Sequence, residues 1–153
     1  MTAFSKISVN AAEQANTIEF ASKIATVVGL FKAMFPDLRA DLKPWSNDRE
    51  TRDLVDPDSI DLGFHFPGVS RRLRCRSLLV QIRCHSEPGC RDRRVIGLEV
   101  AGFDHRGKQW TLSTINDWSF VGQVVPDAAC GEQLRQCCRQ TLMLFSLTSD
   151  PQP

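Results

Sequence analysis

The sequence predicts an α+β fold, a two-layer sandwich in which an antiparallel meander of four to five strands is covered on one face by an N-terminal and a C-terminal helix. Three observations carry this expectation. Apolar residues recur at helical spacing near both ends of the chain. Between them, apolar and polar residues alternate with a period of two, and short turn-forming stretches separate the alternating runs.

The first helix begins at Asn10, where Asn-Ala-Ala-Glu supplies an N-cap and, in Glu13, a capping-box partner. Ile18, Ala21, Ala25 and Val28 then recur at helical spacing, and so do Phe20, Ile24, Val27, Phe31 and Met34. So wide an apolar stripe must lie against a sheet or a second subunit. Pro36 ends the helix, because proline restricts the residue before it and has no N–H to donate. Residues 37–59 hold seven acids and four bases, with Pro44 and Pro57 as breakers. They read as a wrapping loop anchored by Trp45, with room for one helical turn at 48–54.

Strands follow closely. Residues 60–66 place Leu62, Phe64 and Phe66 on one side and Gly63 and His65 on the other, and Pro67-Gly68 is a turn signal. The longest run, RRLRCRSLLVQIRCH at 71–85, alternates in two halves of opposite parity. Leu73 and Cys75 are apolar in the first half; Leu78, Val80, Ile82 and Cys84 are apolar in the second. A bulge near Ser77 reconciles them, since one extra residue flips every side chain beyond it. Residues 94–103 turn Ile96, Leu98 and Val100 inward, Asp104-His105-Arg106-Gly107 closes a hairpin, and residues 108–115 return with Trp110, Leu112 and Thr114 inward. Pairing Val100 with Leu112 keeps both sets on one face. Residues 118–121 supply a short edge strand. The last helix is capped by Asp127 after Pro126, and Leu134, Cys138, Leu142 and Phe145 form its stripe, flanked by Cys130 and Cys137. The chain of 153 residues is the size of one domain, with residues 1–8 and 147–153 frayed.

Composition narrows the function classes. The chain is 42% hydrophobic and 24% charged with net charge +1, a balance that demands neither nucleic acid nor membrane. The opening MTAFSKISVNAAEQ lacks the apolar core of a secretory signal, and no run is long enough to span a bilayer. Six cysteines in such a chain read as reduced thiols of a cytoplasmic protein. Cys84-His85-x4-Cys90 and Cys130-x6-Cys137-Cys138 lack the paired spacing of structural zinc, and Asp56-x-Asp58-x-x-Asp61 lacks the glycine and glutamate of a calcium loop. No metal or cofactor is expected. Phosphate-loop, dinucleotide and nucleophile-elbow motifs are absent as well.

Two surfaces remain as candidates. Residues 71–94 hold eight arginines against Glu87 and Asp92. Arginine suits planar, bidentate contacts to carboxylate or phosphate. Arg72, Arg74, Arg76, Arg83, Arg91, Arg93 and Arg94 are therefore the expected binding residues, with the acidic segment 37–61 as internal counterion or as the matching half of a self-interface. The alternative is the polar sheet face, where parity collects His65, Gln81, Arg83, His85, Glu99, Thr111 and Ser113. Within it His65, Arg83, His85 and Glu99 are the candidates for acid–base work or ligand binding. The leading expectation is a non-catalytic binding or assembly protein with a protein partner or a second copy of itself. Nucleic-acid binding ranks behind it, because Phe103 is the only aromatic on the outward strand positions.

Overall fold

A computed structural model describes residues 10–15, 17–44, 59–86 and 93–146. In chain order these form α1 (Ala11–Gln14), α2 (Ile18–Met34), β1 (Arg39–Asp41), β2 (Ser59–Ser70), β3 (Cys75–Ser86), β4 (Arg93–Asp104), β5 (Gly107–Ser113), β6 (Phe120–Gly122) and α3 (Ala128–Ser146). The α+β class is as expected, but the sheet has six strands rather than four or five. All neighbours are antiparallel, in the sequential order β1 to β6. The extra strand is β1, which comes from the segment read as a wrapping loop; Arg39, Ala40 and Asp41 pair with His65, Phe64 and Gly63. Three residues are too few for an alternation to register in sequence. Residues 45–58, with Trp45 and the turn at 48–54, lie outside the described residues, as do residues 1–8 and 147–153.

The N-terminal helix is broken where one helix was expected. α1 lasts four residues and has no side-chain cap, although Asn10 Nδ2 donates to Glu13 Oε1 at 3.1 Å. α2 starts afresh at Thr17, whose hydroxyl accepts the Phe20 N–H at 3.1 Å. Of the two apolar sets on α2, Ile24, Val27 and Phe31 are buried, while Ile18 is 87% exposed. Phe31 stacks on Phe64 of the sheet at 5.0 Å, and Phe20 meets Phe145 of α3 edge-on. The inward residues of the four strands β2 to β5, among them Leu62, Val80, Val100 and Leu112, pack under α2 and under Leu134, Cys137 and Cys138 of α3. Both helices therefore cover one sheet face, and the other face carries the polar positions.

The long central run is not one strand. Residues 71–74 form the turn between β2 and β3, with Arg74 in the left-handed region at φ 59°. The change of parity is real, since Cys75 and Leu78 are both buried. The irregularity that accommodates it lies on the neighbouring strand: between the pairs His65–Ser77 and Ser70–Cys75, β2 uses five steps and β3 two. Pro67 and Gly68 sit in that surplus, so the turn signal marks an interrupted ladder and not the end of the strand. Proline, with no N–H to give, belongs at such a break.

A second correction concerns β4. Ile96 is 49% exposed, not inward. The register steps from Arg83–Gly97 to Cys84–Val95, which leaves Ile96 as the extra residue of a bulge and turns Val95 toward the core instead. Val100 pairs with Leu112 and Trp110 is buried, as expected, whereas Thr114 lies past the end of β5, half-buried, with its hydroxyl accepting the Leu98 N–H at 2.9 Å. No described helix is long and apolar enough to cross a membrane.

Candidate functional site

The meander decides which arginines can act together. Successive hairpins alternate ends, so the β2–β3 turn and the β4–β5 turn share one end of the sheet, and the β3–β4 connection lies at the other. Twelve residues of β3 separate them, roughly 35–40 Å at strand rise. Arg72, Arg74 and Arg76 therefore stand at one end, together with Arg71. Arg94, exposed, stands at the far end with Arg93, whose strand position alone is described. Arg91 falls outside the described residues. Arg83 lies three positions from the far end of β3, bonded to Glu99 at 3.2 Å. The eight arginines do not form one patch.

The near end is held rigidly. Arg74 N–H donates to the Ser70 carbonyl at 2.7 Å and Leu73 N–H to the Ser70 hydroxyl at 3.1 Å. Trp110 Nε1 donates to the Leu73 carbonyl at 2.7 Å. Arg72 joins the turn to α3: its carbonyl accepts the Asp127 N–H at 2.9 Å and its Nε donates to Asp127 Oδ2 at 3.0 Å. Asp127 Oδ1 meanwhile accepts the Cys130 N–H at 2.7 Å, the expected cap of α3. The Arg72 hydrogen bond, followed by that of Cys130, holds the Asp127 carboxyl below its ordinary range, and the same bond raises Arg72.

The sequence offers the acidic segment 37–61 as internal counterion of these arginines or as the matching half of a self-interface, and residues 45–58 of it lie outside the described residues. Among the described residues the counterion of Arg72 is instead Asp127 of the C-terminal helix. Arg71, Arg74 and Arg76 are exposed and make no ion pair among the described residues. The adjoining β4–β5 turn adds His105, Arg106 and Lys108, of which Arg106 is bonded to Asp104 at 3.2 Å. Asp104 is itself held low, first by the Arg106 N–H. Beside Lys108, a shallow open groove of ≈ 440 Å³ follows the β5–β6 edge past Thr111, Val121 and Gln123.

The polar sheet face resolves into two clusters. In one, Arg83 and Ser113 both reach Glu99, at 3.2 and 3.5 Å, next to Asp61, which is fully buried and accepts from Ser59 Oγ at 2.6 Å and Gln81 Nε2 at 3.2 Å. In the other, His65 bridges Ser77 Oγ at 2.8 Å and Asp41 Oδ2 at 3.2 Å. Ser77 and Arg83 are six positions apart on β3, about 20 Å. The structure thus unites Arg83 with Glu99 and sets His65 apart from both, and His85 is exposed on β3 opposite Arg94.

Asp41 and Ser77 were missed in sequence for separate reasons. Asp41 lies on a strand too short to recognise, and Ser77 lies where the parity changes. Counting back from the Leu62–Val80 pair would have placed Ser77 opposite His65.

No group of three or more histidine, cysteine or carboxylate side chains among the described residues is arranged to hold a metal ion. Cys75, Cys84, Cys130, Cys137 and Cys138 are buried. Burial pushes the Cys75, Cys137 and Cys138 thiols up to about 12.

No curated protein and no solved structure matches the chain. A family model described as a domain of unknown function matches residues 12–147, and the chain belongs to that family.

Proposed function

We propose that the protein is a binding or assembly module whose partner surface is the basic end of the sheet, formed by the β2–β3 turn and the neighbouring β4–β5 turn. The partner class is an acidic protein segment. The observation that carries this reading is the combination of three exposed, ion-pair-free arginines, Arg71, Arg74 and Arg76, with a turn fixed by five hydrogen bonds that it makes with Ser70, Trp110 and Asp127. A guanidinium on a rigid turn loses less freedom on binding a carboxylate than one on a floppy loop. Lys108 and the β5–β6 groove extend the surface and give it relief.

An acidic protein is favoured over nucleic acid on two grounds. The whole-chain charge of +1 supplies no long-range field toward a polyanion. Among the described residues no exposed aromatic stands at this end to stack a base.

The test is a triple Arg71→Gln, Arg74→Gln, Arg76→Gln variant, leaving Arg72 in its bond to Asp127. Binding of a poly-glutamate peptide and of a single-stranded oligonucleotide is measured by fluorescence anisotropy across a salt series, with light scattering on both proteins. The expected result is peptide binding that the triple change weakens about tenfold or more with the melting temperature unchanged. Tight, steeply salt-dependent oligonucleotide binding by a monomeric wild type, lost in the variant, would reverse the choice of partner. An oligomer that dissociates in the variant would assign the surface to a second copy.

A further inference from the structure

We propose that Ser77, His65 and Asp41 form an acylatable nucleophile site on the open sheet face, about 20 Å from the Arg83–Glu99 cluster and independent of the basic turn. The three residues come from β3, β2 and β1, three adjacent strands, and form one hydrogen-bonded chain. Its proton order is fixed by chemistry. An ionised carboxylate only accepts hydrogen bonds, so the His65 Nε2 facing Asp41 carries the proton. Nδ1 is then the bare nitrogen, and at 2.8 Å it accepts the Ser77 hydroxyl proton. Asp41 is held for this role, because its other oxygen accepts the Lys43 N–H at 2.9 Å. A hydroxyl donating to a neutral imidazole whose second nitrogen is anchored by a carboxylate is the arrangement that activates serine in acyl transfer, here with the two ring nitrogens exchanged.

The site is reachable and partly shielded. The His65 and Asp41 side chains are each 36% exposed. Direct strand partners share a face, so the register Arg39–His65–Ser77–Phe103 puts four residues in one row: cation, base, nucleophile and aromatic. Arg39 is exposed, makes no ion pair among the described residues and lies two strands from Ser77, about 10 Å. The row suits a small ester carrying an anionic group that the Arg39 side chain can reach from its strand.

Ser77 Oγ would bond to the ester carbonyl carbon while its proton passes to His65 Nδ1. The carbon–oxygen bond to the alcohol then breaks, and the departing alcohol takes that proton. Water hydrolyses the acyl-serine by the same route in reverse, releasing a carboxylic acid and restoring Ser77. Ser77 lies between laddered partners on both sides, a setting that engages backbone N–H groups in the sheet. Acylation by an aryl ester expels a weaker base than deacylation, which must release the Ser77 alkoxide, so the acyl form accumulates with such esters.

The test uses p-nitrophenyl acetate and p-nitrophenyl succinate, following the nitrophenolate burst and locating the adduct by peptide mass spectrometry. The expected result is a burst near one equivalent, with the acyl group on Ser77, and faster acylation by the succinate ester. Ser77→Ala should abolish the burst with its melting curve unchanged, and His65→Gln should slow it about a hundredfold. Arg39→Gln should erase the succinate preference alone. Asp41 is a positioning residue: Asp41→Asn should slow the burst and Asp41→Glu should restore part of it. An adduct elsewhere, or on Ser77 at an unchanged rate in His65→Gln, overturns the site; equal rates for the two esters overturn the substrate class.

Discussion

Trp110 Nε1 donates to the carbonyl of Leu73 at 2.7 Å, across 37 positions of sequence. This bond ties the basic turn to the core. The indole is 1% exposed, lies against the backbone of Gly102 on β4 and takes Phe120 edge-on at 5.3 Å. A side chain at position 102 would overlap the indole, so glycine there is a packing requirement. Trp110→Phe keeps an aromatic ring but strands the buried Leu73 carbonyl. The expected loss is about 1–3 kcal/mol in denaturant unfolding. Faster hydrogen exchange at the Leu73 and Arg74 amides should accompany it. An unchanged midpoint would count against the bond.

The bulge in β4 makes a contrast within one strand. Val80 is fully buried between its partners Leu62 and Val100, and Leu98 is fully buried as well, whereas Ile96 projects outward. Val80→Asp and Leu98→Asp each bury an unpaired charge, a cost of several kcal/mol that is comparable with the stability of a whole domain. Both should fail to give a cooperative melt. Ile96→Asp should stay within about 0.5 kcal/mol of the wild type. A strongly destabilised Ile96→Asp would restore the uninterrupted alternation read from sequence.

The same strand shows how far the sequence could be read. The alternation of Leu98 and Val100 and the hairpin at Asp104 were legible because a buried face repeats every second residue over a long run. Ile96 was not, since a bulge is a feature of pairing, and the register step from Arg83–Gly97 to Cys84–Val95 leaves no local sign in the sequence. The Arg71–Arg74 turn was hidden in the same way: arginine is no turn former, and Arg74 adopts φ 59° because three hydrogen bonds to Ser70 and Leu73 hold its neighbourhood. Composition located the arginines but could not sort them, because hairpin order puts Arg72 and Arg94 at opposite ends. His65 was found by parity, while its partners Asp41 and Ser77 depended on strand register. Contacts across long stretches of chain were the part that local patterns could not supply.

Asp127 gives a pH signature. Its carboxyl is held low by the Arg72 guanidinium and the Cys130 N–H. A carboxyl lowered on folding stabilises the native state above its unfolded value, about 3.9 for aspartate, and loses that contribution as pH falls through the folded value. Asp127→Asn keeps a cap oxygen for the Cys130 N–H but removes the charge paired with Arg72, and should therefore lower the melting temperature modestly at pH 6–7. The gap from wild type should close as pH drops below about 4. A gap that persists undiminished at pH 2 would show that the charge is not responsible.

The thiols test the alkaline side and the packing of α3 together. Cys137 and Cys138 are fully buried, Cys137 with its sulfur 3.7 Å from the Leu30 carbonyl of α2, and Cys75 lies under the basic turn. Burial raises all three to about 12, against about 8.5 for a free thiol. The neutral form is the one the fold accommodates, so its stabilising effect is complete below about pH 8.5 and is lost progressively toward pH 12. The thiolate is also the reactive species, and a buried thiol reacts only when the structure opens. In a Cys90→Ser background, a disulfide reagent at pH 8 should modify none of the five remaining cysteines promptly and all five in denaturant. Elemental analysis should find no stoichiometric zinc. Melting temperature should fall as pH rises above about 9, and Cys138→Ala should blunt that fall while lowering stability at neutral pH through the cavity it leaves. Prompt reaction of Cys137 or Cys138 in the folded protein would mean that α3 does not pack as described.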